Sequence, residues 1–203
     1  MHEGGTLGVS RETLDKLRSF ANLLEKWNSK INLVAKSTLS DLWVRHVQDS
    51  LQLLHCVGNE VDHWADLGTG GGFPGLVIAI CAKDLGFPQK VTLVESDKRK
   101  ATFLRAVLRE VGVAGTVIPA RIEGIPPLKA DVISARALAD LSRLLELAGP
   151  HLSNDGICLF PKGVNWKSEV QTASLSWHFE YDAIPSVTDS DAVILKIKGL
   201  SRV

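Results

Sequence analysis

The segment Trp64-Ala65-Asp66-Leu67-Gly68-Thr69-Gly70-Gly71-Gly72-Phe73-Pro74-Gly75 constrains this chain more than any other stretch. A β-prone run over 61–67 leads into it and an apolar helical stretch from Pro74 to about Ala82 leads out, so it reads as a turn from strand to helix. Glycines at 68, 70, 71 and 72 permit positive φ and let a ligand approach the backbone, while the helix that follows offers free N–H groups and a positive dipole end. Pro74 suits a helix start because its missing N–H would have had no intrahelical partner. Twenty-three residues past Gly72 comes Glu95, ending the next β-prone run at 91–95, where a carboxylate can accept both hydroxyls of a ribose. Loop and acid together describe a nucleoside-cofactor site. The Gly-Lys-Ser/Thr ending of a phosphate-binding P-loop is missing.

Two cofactor classes compete for this site. Gly70, Gly72 and Gly75 satisfy the GxGxxG pattern of dinucleotide enzymes, but Asp66 directly before the loop would repel a pyrophosphate. S-adenosylmethionine instead brings a sulfonium and an ammonium, on which Asp66 can act directly or through water. A methyltransferase therefore stands ahead of a dehydrogenase. The dehydrogenase reading predicts nicotinamide binding and tolerates loss of Asp66 better than loss of Gly70.

Around this loop the chain divides near residue 60. From Ser10, a plausible N-cap, Leu14, Leu17, Ala21, Leu24, Trp27 and Ile31 recur at helical spacing, and Leu39, Leu42, Val47, Leu51 and Leu54 mark a second helix that Ser37 or Ser40 can cap and Gly58 can stop. Residues 1–60 thus form a two-helix extension, and 61–203 a single methyltransferase domain. Within that domain strand and helix alternate: strands at 61–67, 91–95, 116–119, 131–135 and 156–160, helices at 97–111 and 138–148, and an antiparallel hairpin from 177–184 and 192–198. The fold class is α/β and Rossmann-like, a mostly parallel sheet of about seven strands with helices on both faces.

Composition removes other classes. The chain has 203 residues, 45% hydrophobic and 23% charged, which suits one globular domain with a short extension. Twenty-three basic and 23 acidic side chains balance, so any RNA-binding surface must be a local patch. Cys56, Cys81 and Cys158 lack metal or disulfide spacing, and His55, His63, His151 and His178 lack ligand spacing, so no metal is expected. The N-terminal sequence lacks the basic and apolar regions of a signal peptide and no run suits a membrane span, so the expectation is a cytoplasmic protein without membrane attachment.

The chain resembles the bacterial small-subunit ribosomal RNA guanine-N7 methyltransferases, also called glucose-inhibited division protein B. The resemblance is carried by Lys26-Trp27-Asn28 with Asn32-Leu33, Val44-Arg45-His46-Val47-Gln48-Asp49-Ser50 and the glycine loop. It continues through Val94-Glu95-Ser96, Lys98-Arg99-Lys100, Phe103-Leu104-Arg105, Arg121-Ile122-Glu123, Ile133-Ser134-Ala135-Arg136-Ala137 and Pro161-Lys162-Gly163. Gly71 and Phe73 depart from members that have proline and leucine there, which bears on loop rigidity.

The resemblance implies methyl transfer from S-adenosylmethionine to N7 of guanine 527 of 16S rRNA, within the 30S subunit or an assembly intermediate, by a protein acting as a monomer. It implies a cofactor site of Gly68, Phe73, Glu95, Ile122, Glu123 and Arg136, with Gly70 and Gly72 shaping the loop and Ile122 and Glu123 flanking the adenine; Asp66 joins this set from the charge argument. Guanine N7 carries a lone pair and no proton, so a direct displacement needs orientation rather than a general base. Periodicity alone reads Arg45 with Asp49, and His46 with Ser50, as a solvated polar face with an ion pair. The resemblance instead brings Arg45, His46 and Ser50 beside the pocket. Arg45, His46 and Arg136 become the expected catalytic positioning group, and Arg45, His46, Ser50, Lys98, Arg99 and Lys162 the expected RNA contacts. The alternative of another class is a ribosome-assembly binder that keeps the fold without catalysis.

Overall fold

The computed structural model describes residues 8–203. Helix α1 (Arg11–Asn28) starts where the sequence places its cap: Ser10 Oγ accepts the Thr13 N–H at 3.2 Å. Its stripe of Leu14, Leu17, Phe20 and Leu24 is buried, and Phe20 meets Phe73 with ring centroids 5.0 Å apart. Trp27 packs on Phe103 at 5.6 Å, the core role its position on the stripe predicts. The stripe continues to Ile31, but the helix does not. Asn28 is buried and its Oδ1 accepts the Leu33 and Val34 N–H groups at 2.9 and 3.0 Å, which turns the chain toward the glycine loop.

The second predicted helix is broken into unlike pieces. A 3-10 turn (Lys36–Thr38) precedes a π-helical turn (Trp43–Gln48), one α-helical turn α2 (Asp49–Leu51) and a 3-10 stretch (Gln52–Cys56). Leu42, Val47, Leu51 and Leu54 are buried as the periodicity requires. The hydrophobic spacing fixes which residues face the core but not the winding between them.

The sheet has seven strands: β1 (His63–Leu67), β2 (Lys90–Val94), β3 (Thr116–Ile118), β4 (Ala130–Ser134), β5 (Leu152–Lys162), β6 (Trp177–Pro185) and β7 (Val193–Arg202). Their order is β3-β2-β1-β4-β5-β7-β6, the first five parallel and β7 antiparallel to both its neighbours. The expected hairpin therefore enters the sheet with its second strand inside and its first at the edge. β1 is buried along its whole length, as a central parallel strand must be.

Helices α3 (Gly75–Leu85) and α4 (Lys98–Glu110) share one apolar cluster with α1; α5 (Leu141–Ala148) and α6 (Trp166–Ala173) share the other. Asp97 caps α4 by accepting the Arg99 and Lys100 N–H groups, and Asp140 caps α5 through the Arg143 N–H. Helix α6 was not foreseen: it is eight residues long and buries only Val170 and Ala173, too little to leave a periodic signature. Among the described residues no helix is long and apolar enough to cross a membrane.

Candidate active site

The carboxyl ends of β1, β2 and β4 open on a cavity of about 810 Å³. That is within the roughly 300–1,000 Å³ usual for small-molecule sites, and it lies where open α/β sheets bind ligands. Gly68, Gly70 and Gly72 all have positive φ, 66°, 58° and 100°. Gly68, Gly70 and Gly71 line the cavity, whereas Gly72 turns inward, where a Cβ would lie 2.4 Å from Leu76 and 3.0 Å from Phe20. A Cβ on Gly71 would stand 2.9 Å from the Leu33 carbonyl oxygen, so glycine lets the extension close over the loop.

Glu95 holds the loop in place. Its Oε2 accepts the Gly70 N–H at 2.8 Å and its Oε1 the Asp97 N–H at 2.7 Å. Each carboxylate oxygen retains a lone pair for a ribose hydroxyl. Val94, Ile122 and Leu147 add an apolar wall, and Glu123 at the rim pairs with Arg143.

Asp66 is a correction to the sequence reading. It is fully buried and does not line the cavity, so it does not face a methionine group. Its Oδ2 accepts the Gly75 N–H at 3.0 Å and its Oδ1 the Ser134 hydroxyl at 2.7 Å; Ser134 in turn accepts the Trp64 indole N–H at 2.9 Å. Burial pushes the Asp66 carboxyl up to about 6 despite these bonds. The acid fills the amino end of α3, the place where a dinucleotide enzyme would seat its pyrophosphate.

At the opposite wall Phe73, His46 and Arg136 form a stack. The His46 ring lies on Phe73 with centroids 5.0 Å apart at 26°, and the Arg136 guanidinium sits 5.2 Å from the same ring. Arg136 donates to the Arg45 carbonyl oxygen at 3.0 Å, to Asp49 at 3.4 Å and to His46 Nδ1 at 2.7 Å. A guanidinium only donates, so Nδ1 is the acceptor and the His46 proton is on Nε2, 2.9 Å from Thr38 Oγ1. Thr38 donates onward to the Ala35 carbonyl oxygen at 2.8 Å. Burial, reinforced by Arg136 and Arg45, pushes His46 down to about 4, so the ring is neutral near pH 7. Arg136 is pressed downward by its own burial, with Asp49 and Asp66 opposing.

The model of the rRNA small subunit methyltransferase G family matches residues 13–195. The chain belongs to this family. It is 54% identical to the ribosomal RNA small subunit methyltransferase G of Cereibacter sphaeroides over 197 residues, 97% of this chain and 96% of that protein. It is 51% identical to that of Ruegeria pomeroyi over 201 residues, 99% of this chain and 98% of that one. Among solved structures, an S-adenosylmethionine-dependent methyltransferase from Aquifex aeolicus matches with a TM-score of 0.61 at 12% identity, over 88% of this chain and 98% of that one. A mutant of MtNAS in complex with S-adenosylmethionine matches with a TM-score of 0.60 at 16% identity, over 90% and 74%. At such identities the likeness is one of fold, the Rossmann-like methyltransferase fold that the strand order describes.

In this family member the remaining expected residues scatter. The Arg45–Asp49 ion pair of a regular polar face does not form among the described residues: Asp49 pairs with Arg136, and Arg45 and Asp49 both line a second, smaller cavity. Ser50 is buried, donating to the His46 carbonyl oxygen at 2.6 Å, and cannot reach RNA. Lys162 is held rather than extended into solvent: its side chain is 8% exposed and bonded to Glu169 at 2.7 Å and the Ala139 carbonyl oxygen at 2.9 Å. Lys98 and Arg99 are exposed on the first turn of α4, Arg99 pairing with Asp97. Sequence reasoning missed Thr38, which no local pattern ties to His46; Ala137, which shares a motif with Arg136 in the sequence, is held at φ 51° beside it.

Proposed function

We propose that the chain methylates N7 of guanine 527 in 16S rRNA, in the 30S subunit or an assembly intermediate, as a cytoplasmic monomer. When bound, S-adenosylmethionine supplies an electrophilic methyl group to a nitrogen that has an in-plane lone pair and no proton, so the transfer is a direct displacement. Glu95 receives the ribose of the methyl donor, Val94 and Ile122 its adenine, and Phe73 and the glycine loop border its methionine half. The observation that carries this reading is the commitment of every acid and imidazole around the cavity. Glu95 holds two backbone N–H groups, Glu123 an arginine, and His46 has Arg136 on one nitrogen and Thr38 on the other. Such a site is suited to orienting a proton-free acceptor, with Arg136 as a fixed cation and the neutral His46 ring held beside it.

Arg45 and Arg136 position the guanine, and Lys98 and Arg99 meet phosphates. The deciding experiment supplies S-adenosylmethionine carrying a tritiated methyl group to 30S particles that lack their own N7 methylation, then maps the label by borohydride and aniline cleavage. Label at one guanine of the decoding-region loop is expected. Cofactor binding without label would point instead to another methyl acceptor or a non-catalytic binder.

A further inference from the structure

Beside the main cavity, and sharing Arg136, Ala137 and Ala139 with it, lies a second cavity of about 430 Å³. Its wall includes the Lys162–Glu169 ion pair, which the proposed function leaves unused. Lys162 Nζ donates to Glu169 Oε2 and to the Ala139 carbonyl oxygen, and the same Oε2 accepts the Leu141 N–H at 2.8 Å. A lysine ammonium has three donors and a carboxylate two oxygens. One Lys162 N–H is therefore left over, and Glu169 Oε1 accepts no hydrogen bond among the described residues. The pair offers a donor beside an acceptor, both charged.

Guanine presents the complement: O6 accepts, while the adjacent N1–H and 2-amino group donate. Adenine presents the reverse order, an amino donor beside an N1 acceptor. We propose that the second cavity receives the flipped guanine, with Lys162 donating to O6 and Glu169 accepting from N1–H and the 2-amino group. This rests on the methyltransferase reading above and assigns its base specificity. O6 lies between N7 and N1 on the purine, so these contacts leave N7 open to the methyl group.

The test is a ligand-observed NMR titration of GMP, IMP and AMP against the full chain saturated with S-adenosylhomocysteine, so that the cofactor cavity is filled. GMP and IMP, which share O6 and N1–H, are expected to bind at least tenfold more tightly than AMP. Glu169→Gln keeps an oxygen for the Leu141 N–H but turns an amide donor toward the base, and Lys162→Met removes the other partner. Each is expected to weaken GMP about tenfold or more, the size of one lost charge-assisted hydrogen bond, with S-adenosylhomocysteine affinity within twofold. Equal binding of GMP and AMP by the unsubstituted protein overturns the assignment, as does unchanged GMP affinity in both folded variants. If the variants do not fold, the GMP-to-AMP ratio of the unsubstituted protein decides alone. Failure to bind S-adenosylhomocysteine at all would instead overturn the methyltransferase reading.

Discussion

The two walls of the cavity are built on opposite principles. The glycine loop between β1 and α3 is held by its immediate surroundings: three glycines at positive φ, a buried Asp66 on the first N–H of α3, and Glu95 on the Gly70 N–H. The π-helical turn at Trp43–Gln48 is held by residues far away in sequence. Arg136 takes the Arg45 carbonyl oxygen, His46 and Asp49, and Thr188 donates to Asp49 at 3.0 Å. Space is the currency of the first wall and polar bonding of the second, so they should fail differently.

The largest effect is expected on the loop side. A Cβ on Gly75 would lie 2.3 Å from Leu93 and 2.7 Å from Asp66, so Gly75→Ala should cost about 3 kcal/mol through overpacking, read as a lower midpoint in urea unfolding. Arg136→Lys keeps the charge but loses the fork that reaches three partners. Methyl transfer should drop about 100-fold, as for two lost hydrogen bonds of about 1.5 kcal/mol, with unfolding affected less than in Gly75→Ala.

The two walls also oppose each other in pH. Asp66 is raised to about 6 from 3.8, so the folded state binds more protons than the unfolded one between those values, and its contribution to stability falls as pH rises from about 4 to 6. His46 is lowered to about 4 from 6.5, so the unfolded state binds more protons there and its contribution rises from about pH 4 to 6.5. Asp66→Asn should therefore make stability climb more steeply over that window, and His46→Gln should flatten the climb or reverse it. Urea midpoints at pH 4.5, 5.5 and 6.5 measure both, and parallel profiles for the two variants would contradict the assignment.

Thr38→Val removes one neutral partner of His46 and should cost about 1 kcal/mol of transition-state stabilisation, seen as a several-fold lower kcat/KM that Thr38→Ser restores. Smallest is Arg99→Ala on exposed α4. Unfolding should not change, while the slope of 30S binding against salt should lessen by about one.

The sequence alone determined the parts that depend on neighbours along the chain. Helix α1 with its Ser10 cap, the strand alternation, the glycine turn and the acid ending β2 were legible because backbone conformation and hydrophobic period are local properties. The resemblance placed Arg136 and His46 at one site, but the sequence could not say what holds them there. Only tertiary packing decided that Asp66 plugs a helix end instead of facing the ligand, that Ser50 and Lys162 turn inward, and that His46 carries its proton on Nε2. Each of those outcomes rests on a hydrogen bond whose direction is set in three dimensions. A polar side chain can satisfy the same spacing with water, RNA or a buried neighbour, and the fold makes that choice.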